Sequence, residues 1–294
     1  MAAVSIDVFL GLVTHPATRF PSSSGEHGLT RMLAAELDQR GYTADVAIKS
    51  EDAWTPELLP ITRETVDRSI DAELQAEAEW RLWHSPRTPA WVMHVFMTAR
   101  RFHRRRRYLT SQRNSTEGQP GFAMVRRLVN IELAHMALLR EALDTGARWV
   151  LILEDDGTGS PVEVADMLTN VMSLGEGHNQ PLYVNVSSSF TEKELRIEQH
   201  LDPVPLPAEY DHEGPSLLAA RKPVTNTVCA VLYRGSFLEL LVPAMDQIPM
   251  DPVIPIDWKL NRALMDLWRK QQILSGDCWI AQPAPIIQTS MHGS

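Results

Sequence analysis

The run Trp149-Val150-Leu151-Ile152-Leu153-Glu154-Asp155-Asp156-Gly157 constrains this chain more than any other segment. Five apolar residues in succession predict a short strand covered on both faces, as in a parallel sheet. Three carboxylates follow where that strand should end, and Gly157 marks a turn. Carboxylates packed this closely raise each other's pKa unless a cation or hydrogen-bond donors hold them ionised. A hard divalent ion, Mn²⁺ or Mg²⁺, does this while leaving positions open for phosphate oxygens. Ligands of open α/β sheets bind at the carboxyl ends of the strands, which is where the acids fall. The same pattern also fits an acidic surface turn with Asp155 or Asp156 capping the next helix.

The rest of the chain supplies the partners of that strand. Val4–Val13 reads as a first strand, and the loop Thr14–Gly28 leads into a helix at Leu29–Leu37. Gly41 follows as a C-cap, and Ala44–Ile48 gives a second strand. This β-loop-α-β opening suits a nucleotide-binding α/β domain, although the loop lacks a phosphate-binding glycine pattern. Pro56 to about Gln119 changes character and predicts a helical insertion. Its first part, Glu57–Trp80, is acidic, and its second, Trp91–Tyr108, is apolar and then strongly basic. A second α/β stretch from Phe122 onward holds the helix before Trp149, strands at Leu182–Val186 and Thr227–Tyr233, and helices at Ser236–Ala244 and from Asp257. Met124, Leu128, Ile131, His135 and Leu138 recur at helical spacing, so His135 lies on a buried stripe. It serves there as a hydrogen-bonded core residue, or it steadies the acidic loop.

The helix Ile131-Glu132-Leu133-Ala134-His135-Met136-Ala137-Leu138-Leu139-Arg140, then Gly146, then Leu151–Asp156, resembles the family-25 glycosyltransferases, which include enzymes of lipopolysaccharide biosynthesis. Residues 122–157 carry the best-matched block. Ala134 stands where that family has the serine of a Ser-His pair, so any role of that hydroxyl is absent. The resemblance implies an α/β chain with a GT-A-like, Rossmann-type nucleotide-diphospho-sugar-binding domain spanning 1–294, with the helical insertion at 56–119 inside it. It implies metal-dependent, inverting transfer of a sugar from a nucleotide-diphosphate donor to an acceptor hydroxyl. Asp155 and Asp156, with His292 by analogy to glycosyltransferases that complete the metal shell with a late histidine, are then the expected metal ligands. Thr14, Glu154, Asp155, Asn185 and Ser187 are the nucleotide-sugar candidates; the last two begin a hydroxyl-rich loop suited to sugar hydroxyls. Asp257 is the expected general base, and its place at a helix start equally suits an N-cap.

Two other readings remain open. Glu154-Asp155-Asp156-Gly157-Thr158 resembles the Asp-x-Asp-Gly-Thr of haloacid-dehalogenase-like phosphatases, with Glu154 at the nucleophile position and the motif displaced to mid-chain. A catalytically inactive sugar-nucleotide-binding protein is the third.

Bulk properties narrow the surroundings. A formal net charge of −9 argues against a general nucleic-acid binder. Two cysteines, Cys229 and Cys278, provide no disulfide framework, so a reducing cytoplasm is expected. No apolar run reaches the roughly 20 residues needed to span a bilayer. The segment Pro89–Met97 precedes Arg100, Arg101, Arg104, Arg105, Arg106 and Arg107. This combination suits peripheral contact with an anionic membrane at the inner face, capture of an anionic substrate, or pairing with the acidic Glu57–Glu79 segment.

Overall fold

The computed structural model describes residues 6–14, 28–50, 52–110, 121–174, 181–188, 197–204, 215–225 and 228–289. Within them the chain is α/β, and it divides into two units: 1–51, 134–243 and 264–294, and 52–133 with 244–263.

The first unit is built on an eight-stranded sheet. Strands β1 (Val8–Thr14), β2 (Ala44–Ser50) and β3 (Trp149–Glu154) run parallel, with β1 between the other two. Beyond β3 come β9 (Ala230–Arg234), β5 (Tyr183–Asn185), β10 (Cys278–Gln282), β8 (Ser216–Ala220) and β7 (Leu201–Pro203), in that spatial order. β9 runs against β3 and β5, and β8 runs against β10 and β7; the remaining strands share one direction. A small second sheet joins β4 (Gly157–Thr158), β11 (Ile286–Gln288) and β6 (Ser187–Ser188).

The apolar run of β3 is covered on both sides, as its composition predicts. Trp149, Leu151 and Leu153 pack with Val8, Leu10 and Leu12 of β1, and with Leu29, Leu33 and Leu37 of helix α1 (Leu29–Gln39). Val164, Leu168 and Val171 of α5 (Pro161–Ser173) complete this layer. The alternate residues face elsewhere. A Cβ on Gly11 would meet Ile152 Cδ1 at 2.6 Å and Leu138 Cδ1 at 3.2 Å, so glycine lets α4 (Phe122–Thr145) lie close to the sheet. α1 ends as sequence suggests: Gly41 adopts φ 85°, Gly41 N donates to Asp38 O and Tyr42 N to Leu37 O. This is the Schellman arrangement that glycine at this place permits.

The second unit contains the whole helical stretch expected at 56–119 so far as it is described. It adds the first half of α4, the end of α6 (Leu238–Asp246) and most of α7 (Ile256–Arg269). Helix α2 (Arg63–His84) starts with a reciprocal Thr62–Thr65 capping box. It pairs with α3 (Ala90–Thr110) through charge: Arg101 meets Asp71 at 2.9 Å, Arg100 meets Glu77 at 3.2 Å, and Arg104 is bonded to both Glu73 and Glu77. Tyr108 donates to Glu73 at 3.1 Å. Glu73, Glu77 and Arg104 are all buried. Burial first, then the neighbouring Arg107, pushes the Arg104 pKa down to about 10, against the opposing pull of Asp257.

The arginine run is thus divided. Arg100, Arg101 and Arg104 meet the acids of α2, and of these Arg104 is buried; Arg101, Arg105, Arg106 and Arg107 are exposed. Removing one partner of a buried ion pair strands the others in low dielectric, typically at a cost of about 3–5 kcal/mol. Arg104→Gln should therefore lower unfolding stability by about that much. Arg105→Gln, on the surface, should change it by less than about 0.5 kcal/mol. Urea denaturation of the two variants checks both.

Candidate functional site

The acidic turn lies where the strand order reverses. From β1 the chain passes through α1 to β2 on one side; from β3 it goes on toward β5 on the other. Crevices at the carboxyl ends of strands around such a reversal are the usual ligand sites of α/β sheets. Parallel pairing sets Val13 opposite Glu154, and Asp155 N donates to Val13 O at 3.0 Å. Thr14, the last residue of β1, donates from Oγ1 to Asp155 Oδ2 at 3.0 Å. The register alone brings these two together across 141 residues of chain.

Each acid is held differently. Glu154 Oε1 lies 3.0 Å from Nε2 of His135, which is buried in α4. Asp156 is only 6% exposed. Its Oδ2 accepts from Gln288 Nε2 at 3.0 Å, and its Oδ1 accepts from the Cys229 thiol at 3.5 Å. Its backbone carbonyl takes both the amide and the hydroxyl of Thr289, at 2.9 and 2.8 Å. Strand β11 thereby fastens the acidic turn from the other end of the chain. Gly157 and Gly159 make that approach feasible: a Cβ on Gly159 would stand 2.4 Å from the Pro285 carbonyl oxygen, and one on Gly157 would crowd Cys229, Glu154 and Ile286.

The charge of the three acids registers on their surroundings. Burial first, then Glu154, Asp156 and Asp155, pushes the Cys229 thiol well above its ordinary value. Burial and then Glu154 do the same to the Tyr233 hydroxyl. Ligand atoms of Glu154, Asp156 and Cys229 lie within 4.8 Å of one another. The donor chemistry favours the carboxylates over the sulfur. Hard Mn²⁺ or Mg²⁺ prefers oxygen to sulfur, and the Cys229 thiol is placed as a donor to Asp156 Oδ1 at 3.5 Å. Glu154 and Asp156 are therefore the oxygen donors this group offers a hard divalent ion, with Cys229 orienting Asp156; Asp155, bonded to Thr14, is not among the gathered atoms.

Of the residues singled out by sequence, Thr14, His135, Glu154, Asp155 and Asp156 come together here. Asn185 and Ser187 are fully buried and committed to the sheet. Asn185 Nδ2 donates to Thr225 Oγ1 and its Oδ1 accepts from Ser187 N, while Ser187 Oγ bridges the amide and carbonyl of Ala230. Asp257 belongs to the second unit, in the first turn of α7 beginning at Ile256. A carboxylate there complements the helix dipole; burial pushes the Tyr108 hydroxyl up, and Asp257 lies near enough to add an upward pull there and to oppose the lowering at Arg104. His292 falls outside the described residues. Sequence reasoning gave no role to Cys229 or Thr289. Compared with protein-family models and with curated proteins, the sequence finds no match in either.

The Cys229 environment has a consequence for pH dependence. The folded state keeps the proton above pH 9.0, the ordinary thiol value, where an unfolded thiol releases it. Its contribution to stability is thus complete below that value and declines as pH rises above it. The decline amounts to at most about 1.4 kcal/mol per pH unit for this group. Cys229→Ala should show a shallower loss of stability between pH 9 and 10.5 than wild type, measured by urea midpoints across that range.

Proposed function

We propose that the acidic turn binds a nucleoside-diphosphate sugar through a divalent cation and that the chain is a metal-dependent glycosyltransferase. The observation that carries this reading is the row of three carboxylates at the β1–β3 strand ends, joined to Thr14 and His135 at the point of strand-order reversal. An ion held by Asp156 with Glu154, and by Asp155 as the sequence resemblance implies, would offset the charge of a departing diphosphate. The chain's own residues set up that chemistry. Thr14 fixes the orientation of Asp155, His135 holds Glu154, and Gln288 with Cys229 fixes Asp156, so the carboxylates meet a ligand already ordered. Support for the family-25 reading, for inversion at the anomeric carbon and for Asp257 as the base comes from the sequence resemblance.

Nucleotide sugars should stabilise the wild type in the presence of Mn²⁺, by about 2.7 kcal/mol at one hundred times Kd. Asp155→Ala and Asp156→Asn should lose that metal-dependent gain while remaining folded. Equal Mn²⁺-dependent binding of a UDP-sugar by mutants and wild type in calorimetry would remove the acids from the site. Hydrolysis of phosphate monoesters without nucleotide-sugar binding would favour the phosphatase reading instead.

Asp257→Asn should reduce turnover by about 100-fold or more, the scale for losing a general base, with donor binding nearly unchanged. Steady-state kinetics decides this: full activity in the variant would leave Asp257 only its helix-terminal role.

A further inference from the structure

We propose that the outward face of α3 is a docking surface for an anionic lipid membrane, on which the helix lies flat. The helix contains six arginines and no acidic residue. Three large apolar side chains stand out from it into solvent: Trp91 is 71% exposed, Val95 62% and Phe102 75%. At 3.6 residues per turn they fall within about 40° of one another around the axis. Arg105 and Arg106 follow Phe102 by three and four residues, the spacing of neighbours on one helix face, and both are exposed. The opposite face carries Arg104 and Tyr108, both buried and bonded to Glu73, with Arg100 beside them on Glu77. Phe96 is on that side too, beneath the Arg81 and Arg100 guanidinium groups at 4.5 and 5.8 Å. The acids of α2 thus take up the inner arginines, while the exposed aromatic stripe lies on the other side of the helix.

The chemistry of the stripe selects the partner. Aromatic and branched apolar groups next to arginines match the boundary between acyl chains and anionic headgroups, where the rings enter and the guanidinium groups bond phosphate. A nucleic acid would use the arginines and could stack bases on Trp91 and Phe102, but the branched Val95 between them offers no such platform and the chain's net charge of −9 opposes it. A second copy of the chain, docked face to face, would bring four such arginines into one contact to which this helix adds no acidic residue. Two aromatic side chains at about 150–250 Å² each also fall short of the roughly 800 Å² per partner of a stable interface. No helix among the described residues is long and apolar enough to cross a bilayer, so the contact is one of lying on the surface. This inference stands apart from the glycosyltransferase reading.

Sedimentation of the full chain with vesicles tests it. Wild type should pellet with phosphatidylcholine vesicles containing one-third phosphatidylglycerol, remain in the supernatant with pure phosphatidylcholine, and release as salt is raised. Arg105→Gln with Arg106→Gln should weaken binding about 30-fold, from a factor of about five for each arginine. Trp91→Ser with Phe102→Ser should weaken it at least as much, and both double variants should melt with the wild type because all four positions are exposed. Wild type that stays in the supernatant with the anionic vesicles would overturn the proposal. So would undiminished binding by the aromatic variant, which would mark simple polyanion attraction, or equal displacement by inorganic phosphate at matched ionic strength, which would mark a free-phosphate site. A wild-type dimer that Trp91→Ser abolishes in analytical ultracentrifugation, without vesicle binding, would assign the stripe to self-association.

Discussion

The parallel pairing of β1 with β3 is the constraint on which the candidate site depends. Val13 opposite Glu154 sets Thr14 beside Asp155 and gives the Asp155 amide its acceptor. A slip of one residue would turn Trp149, Leu151 and Leu153 away from α1 and α5 and would move every acid off its partner. The burial that pins this register is extensive, since Val8 through Leu12 and Trp149 through Leu153 are almost wholly enclosed. Core packing and site geometry are therefore one requirement. The continuous apolar runs that bury β1 and β3 on both faces also place the carboxylates at the strand ends.

Around this rim the protein gathers negative charge and orders it. Three adjacent carboxylates repel one another, and the structure answers with partners from four distant segments: Thr14, His135, Cys229 and Gln288. The second unit handles charge in the opposite way. There the arginines of α3 meet the acids of α2 directly, and Glu77 alone takes Arg81, Arg100 and Arg104. One arrangement leaves a field that reaches the Cys229 and Tyr233 protons; the other closes its charges into a buried network. That contrast agrees with a ligand site in the first unit and a structural role for the inner arginines in the second.

Local signals in the sequence located many elements to within a few residues. The buried run at β3, the helix before it, the Gly41 stop of α1 and the two long helices of the 56–119 stretch all follow from period, caps and breakers. Strands β7 and β8 were not legible: Leu201–Pro203 and Ser216–Ala220 contain none of the β-branched or aromatic residues that mark the equally short β5 and β9. The split of the arginine run was only half legible. Residues at 100, 104 and 108 share a helix face in any sequence reading, yet whether that face meets Glu73 and Glu77 or a membrane depends on how α2 and α3 pack.

The sequence by itself determined that this chain is α/β, that a buried strand ends in three carboxylates, and that a histidine lies on the apolar face of the preceding helix. These are local facts, carried by side-chain type and spacing. Only the tertiary structure decided what each acid touches. Cys229 and Gln288 reach Asp156 from 73 and 132 residues away, and Asn185 and Ser187 are drawn into the sheet's own bonds. Contacts across such separations are fixed by strand order and register, which arise from the competition of many apolar residues for one core. No short window of sequence contains that competition.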